Sequence, residues 1–338
     1  MTISGANSLY RMPLYLGGTL VMRVNAISEL CLRRNHVRAA RVLVPKMAAA
    51  LFASIVLAVI ANLFFGTPAL AQQDLAKQLA NPLASLTSVP FQFNYDSNIG
   101  PNREGDGLRI NVQPVIPFKL DSNWTLISRT IVPVIYQSDV APNSGTQFGL
   151  GDTVQSFFLS PSPVPLGGGA NLIWGAGPAL LLPTGTGPLL TAHEFGVGPT
   201  AVALVQQGSW TVGVLSNHIW SVGNQSASGS LACDDYACLG DPADATSGRA
   251  GISATYIQPF ISYTTKDAWT FGLNTESTYD WIGEKWTIPV NATVSKLVMF
   301  GKQPVSLGVG VRYWAETPEG GPHGLGARAI ITFLFPSK

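Results

Sequence analysis

Charge is what this 338-residue sequence has least of. Asp, Glu, Lys and Arg make up 12% of it, about half the share usual in a soluble domain. So few ions leave little to cover a surface facing water. The formal net charge of +1 owes its sign to a basic leader; the acidic balance of the remainder argues against nucleic acid as a partner. Cysteines number three and histidines four. HExxH, a CxxC pair and GxxxxGK[ST] are all missing, so zinc hydrolysis, dithiol chemistry and a phosphate cradle have no anchor, and no cofactor or metal is implied. Glycine-rich spots such as Gly149-Leu150-Gly151 lack the strand–turn–helix setting that phosphate loops need. Beyond residue 71 there is also no long apolar run, so any membrane crossing falls to strands.

The first 71 residues differ from the rest. Arg33, Arg34, Arg38, Arg41 and Lys46 form a basic region, 47–65 run apolar, and Ala69-Leu70-Ala71 supplies small residues for cleavage. This is the pattern of a secretory signal peptide over 1–71, cut before Gln72. Its long basic region suggests an over-extended start, with Met22 or Met47 as alternatives. An uncleaved anchor helix over 47–65 is the competing reading. Removing the leader's seven basic and one acidic residues from totals of 20 and 19 leaves 13 and 18, a net charge near −5. Residues 72–86, QQDLAKQLANPLASL, read either as a short helical, plug-like segment broken at Pro82 or as a flexible terminus.

Period-two alternation dominates the remainder of the chain. In Trp269–Trp281 one face carries Trp269, Phe271, Leu273, Thr275, Ser277, Tyr279 and Trp281; the other carries Thr270, Gly272, Asn274, Glu276, Thr278 and Asp280. Strands place alternate side chains on opposite faces. A soluble sandwich buries its apolar face, whereas a transmembrane barrel turns it to lipid. Aromatic spacing decides between them. Trp124 and Tyr136, Trp210 and Trp220, and Trp269 and Tyr279 bracket strands at even separations. Ten residues of about 3.3 Å each, tilted by about 40°, rise about 25 Å, the height of an outer-membrane apolar band between its two girdles.

Twelve strands are predicted, at 87–96, 107–120, 123–136, 148–160, 170–183, 194–206, 209–222, 251–264, 268–281, 285–300, 303–315 and 325–335. The expected fold is all-β, an antiparallel up-and-down transmembrane barrel over 87–338. Links alternate short and long, as periplasmic turns and external loops do, with 161–169 and 282–284 as exceptions. Four hairpins feed a Trp-Thr pair, at 124, 210, 269 and 286. Against this stand eight prolines inside proposed strands: Pro90, Pro114, Pro117, Pro133, Pro178, Pro199, Pro259 and Pro289. Proline removes a ladder donor and avoids central strands, and a barrel has no others.

Candidate binding residues are the ionisable groups on the face assigned to the lumen: Arg109, Arg129, Glu276, Asp280, Arg312 and Arg328. Charges inside a membrane segment are costly unless paired or hydrated. They either filter a solute or neutralise one another and fill the bore. Cys233 and Cys238 share a polar loop of an exported chain, so a local disulfide is expected. Asp234, Asp235, Asp241 and Asp244 beside them read as a solvated acidic loop before a calcium site. No catalytic residue is assigned. The one enzymatic candidate is Ser216 and His218 on the lipid-facing side of a strand, where a lipid hydrolase would act. Residues two apart stand about 7 Å apart, too far to pair directly.

Several phrases in order, NPLASLTSVPFQFNYDSNIGP (81–101), NVQPVIPF (111–118), WTLISRTIVPVI (124–135), GLGDTVQSFFLSP (149–161), IWGAGPALLLPT (173–184), GVGPTAVAL (196–204), FISYTTKDAWTFGLNTESTYDW (260–281) and QPVSLGVGVRYW (303–314), resemble a bacterial outer-membrane family. It is the family named for the MetA pathway of phenol degradation, whose members often carry the label transporter or, misleadingly, neuromedin U. The resemblance covers nearly all of 81–336. It implies a porin-like barrel in a Gram-negative outer membrane and uptake of aromatic or other small hydrophobic compounds. It brings no catalytic residues. The expected partners are outer-membrane lipid, a small-molecule solute and the barrel-assembly machinery. The expected function is a passive channel or transporter; a lipid-acting enzyme and a plugged structural barrel are the alternatives.

Overall fold

A computed structural model describes residues 70–222 and 251–336, with side chains from Gln72 onward. Among the described residues a single helix, α1 (Leu70–Leu79), precedes sixteen strand segments. These are β1 (Thr87–Ile99), β2 (Gly105–Val112), β3 (Val115–Lys119), β4 (Trp124–Ser138), β5 (Thr146–Leu150), β6 (Thr153–Pro161), β7 (Val164–Gly167) and β8 (Ala170–Leu182), then β9 (Gly196–Gln207), β10 (Trp210–Ser221), β11 (Ser253–Thr264), β12 (Trp269–Thr275), β13 (Ser277–Asp280), β14 (Lys285–Phe300), β15 (Gln303–Glu316) and β16 (Gly324–Phe335).

Three staves are interrupted, so the segments form twelve: β2 continues into β3, β5 into β6 and β7, and β12 into β13. Every pairing is antiparallel, and all but the closing one join staves that are neighbours in sequence. β1 pairs with β16 from Thr87–Phe335 to Tyr95–Ala327, which closes the cylinder. The result is an up-and-down barrel of the outer-membrane type. Closure leaves no open edge, the condition for crossing hydrocarbon with strands.

The start of β1 and the end of β16 lie at one end of the barrel, the proximal end. Proximal links are tight, as at Gly208-Ser209 and Gly301-Lys302. The nine-residue link expected at 161–169 is corrected: β7 extends the stave and pairs with β8. The actual turn is Gly167-Gly168-Gly169, all at positive φ (86°, 60° and 76°), a conformation that costs glycine little. Distal links are longer, apart from the four residues 281–284. Cys233, Cys238 and the four aspartates of the same loop lie outside the described residues.

The prolines fall where the ladder is already broken. Pro90 stands opposite Gln113 by the register of β1 with β2 and β3, and Pro114 comes next in the gap between those segments. Pro117 lies past the start of β1, where β3 has a strand neighbour on one side only. Pro133 faces a bulge: between the pairs Val134–Leu150 and Ile131–Val154, β4 advances three residues and its neighbour four. Pro178 and Pro199 pair with each other. Pro259 and Pro289 flank the break at Glu276, from registers continuous across β12 and β13 on both sides. Pro289 also sits at a register shift against β15. Proline is tolerated at bulges and gaps because no donor is wanted there.

The outer face is apolar. Leu159, Val212, Val214, Ile261, Phe271, Leu273 and Val311 are exposed on it. Trp124, Trp210, Trp220, Trp281 and Trp286 are exposed toward its two rims. At the proximal rim, Lys296 Nζ lies 5.0 Å from the Trp269 ring centre, a long chain reaching past the apolar band toward water.

Candidate functional site

The inner wall is not uniform. Its polar arc runs from β11 through β16 to β2, where alternation turns Gln258, Asn274, Glu276, Asn291, Arg312, Arg328, Asn94, Asp96 and Arg109 inward. Its other arc runs from β4 to β10. There Ile127, Phe158, Ile173, Val202, Leu204 and Leu215 form one buried cluster, and Ile131, Val154, Ala179, Leu181 and Ile219 another. The face that alternation assigns to the lumen is therefore not polar throughout: along this arc it is mainly apolar. Strands such as WTLISRTIVPVI carry apolar residues on both faces, so alternation between polar and apolar cannot reveal which side turns inward.

A charged cluster crosses the polar arc. Arg312 donates to Glu276 Oε2 (2.8 Å), Asp96 Oδ2 (3.3 Å) and Asn291 Oδ1 (3.0 Å). Arg328 donates to both oxygens of Glu276 (2.9 and 2.7 Å) and to Asn94 Oδ1 (2.7 Å). Trp314 Nε1 donates to Asp96 Oδ1 at 2.8 Å, and the Arg312 guanidinium lies 4.9 Å from the Trp314 ring centre. Both arginines are at most 2% exposed. Two cations and two carboxylates balance, as buried charge requires. Gly326, across from Arg312 on β16, leaves room for Asp96: a Cβ there would collide with its carboxylate.

The structure thus brings Glu276, Arg312 and Arg328 together. It adds Asp96, Asn94, Asn291 and Trp314, which strand patterning did not single out. A signal is present in FQFNYD, where Asn94 and Asp96 alternate with Phe93 and Tyr95. Arg109 faces the same bore, across the ladder from Asn94, and is 6% exposed. Arg129 stands apart on the apolar arc and donates to Gln113 Oε1 at 3.1 Å. Asp280 does not join the cluster: its Oδ1 accepts the Ile282 amide at 2.9 Å and shapes the distal turn.

Both ends of the bore carry extra chain. Proximally, Ala76, Ala84 and Leu86 pack with Leu297 and Leu334, and Leu83 joins the apolar cluster of Ile127 and Phe158. Gln206 Nε2 holds the helix carbonyl of Lys77 at 3.1 Å. Above this segment lies a cavity of about 300 Å³ reaching Arg129 on one side and Asn274 on the other. Distally, the link after β8 folds over the apolar arc. The Asp152 carboxylate, on the bulge facing Pro133, accepts the amides of Gly185 (3.0 Å) and Ala192 (2.7 Å), and Ala192 packs against Ile131 and Leu181.

On the outer face, Ser216 and His218 do not pair. The Ser216 hydroxyl donates to the Tyr256 carbonyl (2.8 Å). His218 Nδ1 lies 2.7 Å from Thr255 Oγ1, which also accepts from Trp281 Nε1 (2.8 Å). Nε2, the atom that would take a nucleophile's proton, has no hydrogen-bond partner among the described residues, so no hydroxyl is held against the ring as a triad serine is.

No protein-family model and no curated protein matches the chain. Among solved structures, an outer membrane channel from Pseudomonas putida F1 aligns with a TM-score of 0.56 at 14% identity, over 74% of this chain and 96% of that one. Outer membrane phospholipase A from Escherichia coli aligns with a TM-score of 0.41 at 12% identity, over 74% and 96%. NanC porin aligns with 0.41 at 9%, over 74% and 100%. The first likeness shows the fold; the other two are too loose to argue from.

Proposed function

We propose that the protein is an outer-membrane channel for small molecules, exported by the leader at 1–71 and belonging to the phenol-degradation family its motifs resemble. The observation that carries this is a closed barrel, apolar outside and bracketed by aromatic residues, whose bore holds a built charged cluster and a cavity. A protein that only filled space would be served more cheaply by an apolar core. The proximal end is periplasmic in this reading. Residues 72–86 then form the inner constriction and the charged cluster the filter above it. A half-apolar wall suits solutes with hydrophobic bodies, in keeping with the aromatic compounds the family resemblance implies.

Planar-bilayer current tests it. The full mature chain should conduct weakly, and a chain lacking 72–86 several-fold more. Absence of current from both folded proteins would favour the plugged structural barrel. Against the lipid-hydrolase alternative, acyl hydrolysis in detergent should be undetectable in the wild type and unchanged in His218→Ala. Activity that vanished in the variant would revive that alternative.

A further inference from the structure

The cavity above the N-terminal segment has one charged group in its lining, Arg129. The two arginines of the cluster, Arg312 and Arg328, are in contact with carboxylates. Arg129 feels Glu276 only at longer range: among the described residues it has no ion pair, and its one hydrogen-bond partner is the neutral Gln113. That contact uses a single Nη, so most of the guanidinium fork stays available. Leu215, Phe260, Val115 and Leu86 supply apolar wall in the same cavity, and Gln258 and Asn274 supply amides. A volume near 300 Å³ lies at the small end of ligand pockets.

From this we infer that the cavity is a binding site for a small organic monocarboxylate with an apolar body. Its carboxylate takes the free edge of Arg129, and its hydrocarbon part lies against Phe260 and Leu215. A planar carboxylate matches the fork in two parallel hydrogen bonds. One cation with no carboxylate in contact, in a half-apolar chamber, favours a single negative charge and penalises a dianion, whose second charge would be desolvated without a partner. An uncharged analogue leaves Arg129 as it is and forfeits the charge-assisted bonds. This rests on the channel reading, the ligand being the solute in transit.

Equilibrium binding to the detergent-folded mature chain tests the site apart from transport. The probes are benzoate, benzyl alcohol and acetate. Benzoate should bind at least about tenfold tighter than benzyl alcohol, the worth of one charge-assisted hydrogen bond, and tighter than acetate, which lacks the apolar body. Arg129→Gln should erase the preference over benzyl alcohol, and Arg129→Lys should keep part of it. Folding of each variant is read from heat-modifiable gel migration. If Arg129→Gln does not assemble, the wild-type comparison decides alone: benzoate held no tighter than benzyl alcohol overturns the inference. So does a preference that survives in folded Arg129→Gln. Liposome swelling is scored separately. Benzoate binding without uptake would refute the channel and leave the site standing; uptake without discrimination would do the reverse.

Discussion

At Glu276 a single carboxylate serves two arginines. It accepts Arg312 once and Arg328 twice, and its strand is interrupted there because Pro259 and Pro289 flank it. Removing one member of a buried ion cluster strands the others, which typically costs about 3–5 kcal/mol. Glu276→Ala should therefore lower stability by that order in urea unfolding from lipid vesicles. Asp280→Asn, which changes only a turn contact, should cost about 1 kcal/mol or less. Similar losses for the two would mean that the cluster holds nothing together. At this scale the sequence is partly legible. Arg312, Arg328 and Glu276 are inward by parity alone. The partners of the two arginines, Asp96 and Asn94, sit 216 and 234 residues away along the chain, and no local pattern announces a contact made by barrel closure. Arg129 is visible as an inward arginine, but its lack of a contacting carboxylate is not.

Among the elements, the bulge between β5 and β6 does two jobs. It accommodates Pro133 on β4, and it aims Asp152 at the link after β8. Re-aiming a side chain is a known use of bulges. Asp152→Ala should release that link: hydrogen exchange at the Gly185 and Ala192 amides should speed up by at least about tenfold, while amides of β8 and β9 stay protected. Unchanged exchange would show that Ala192 packing alone holds the link. Strand positions are the most legible part of this sequence, because aromatic ends and alternation mark each stave. The breaks are not. A proline signals that a donor is missing, but only the register shows whether the neighbour has a gap to receive it, as Gln113 does for Pro90 and the Pro178–Pro199 pair does for itself.

For the whole molecule, the decisive property is which face meets hydrocarbon. Leu273 is half exposed on the outer wall, and Asn274 lines the cavity. Leu273→Arg near mid-barrel should cost about 2–4 kcal/mol in vesicle folding, and Asn274→Arg far less. Equal costs would invert the assignment of faces. The outer face is readable from the aromatic spacing; the inner one only in part, since strands apolar on both sides give no parity signal.

The two-natured bore has a consequence for water. Along the arc of Ile127, Phe158, Leu204 and Leu215 the wall offers few groups that bond water, Arg129 chief among them, so a liquid column there is prone to dewetting. Hydration would be confined to a thin film beside the cavity's amides, Gln258 and Asn274. Hydrated inorganic ions would have to squeeze along that film, while a molecule with one greasy side and one polar side could slide through with each flank matched.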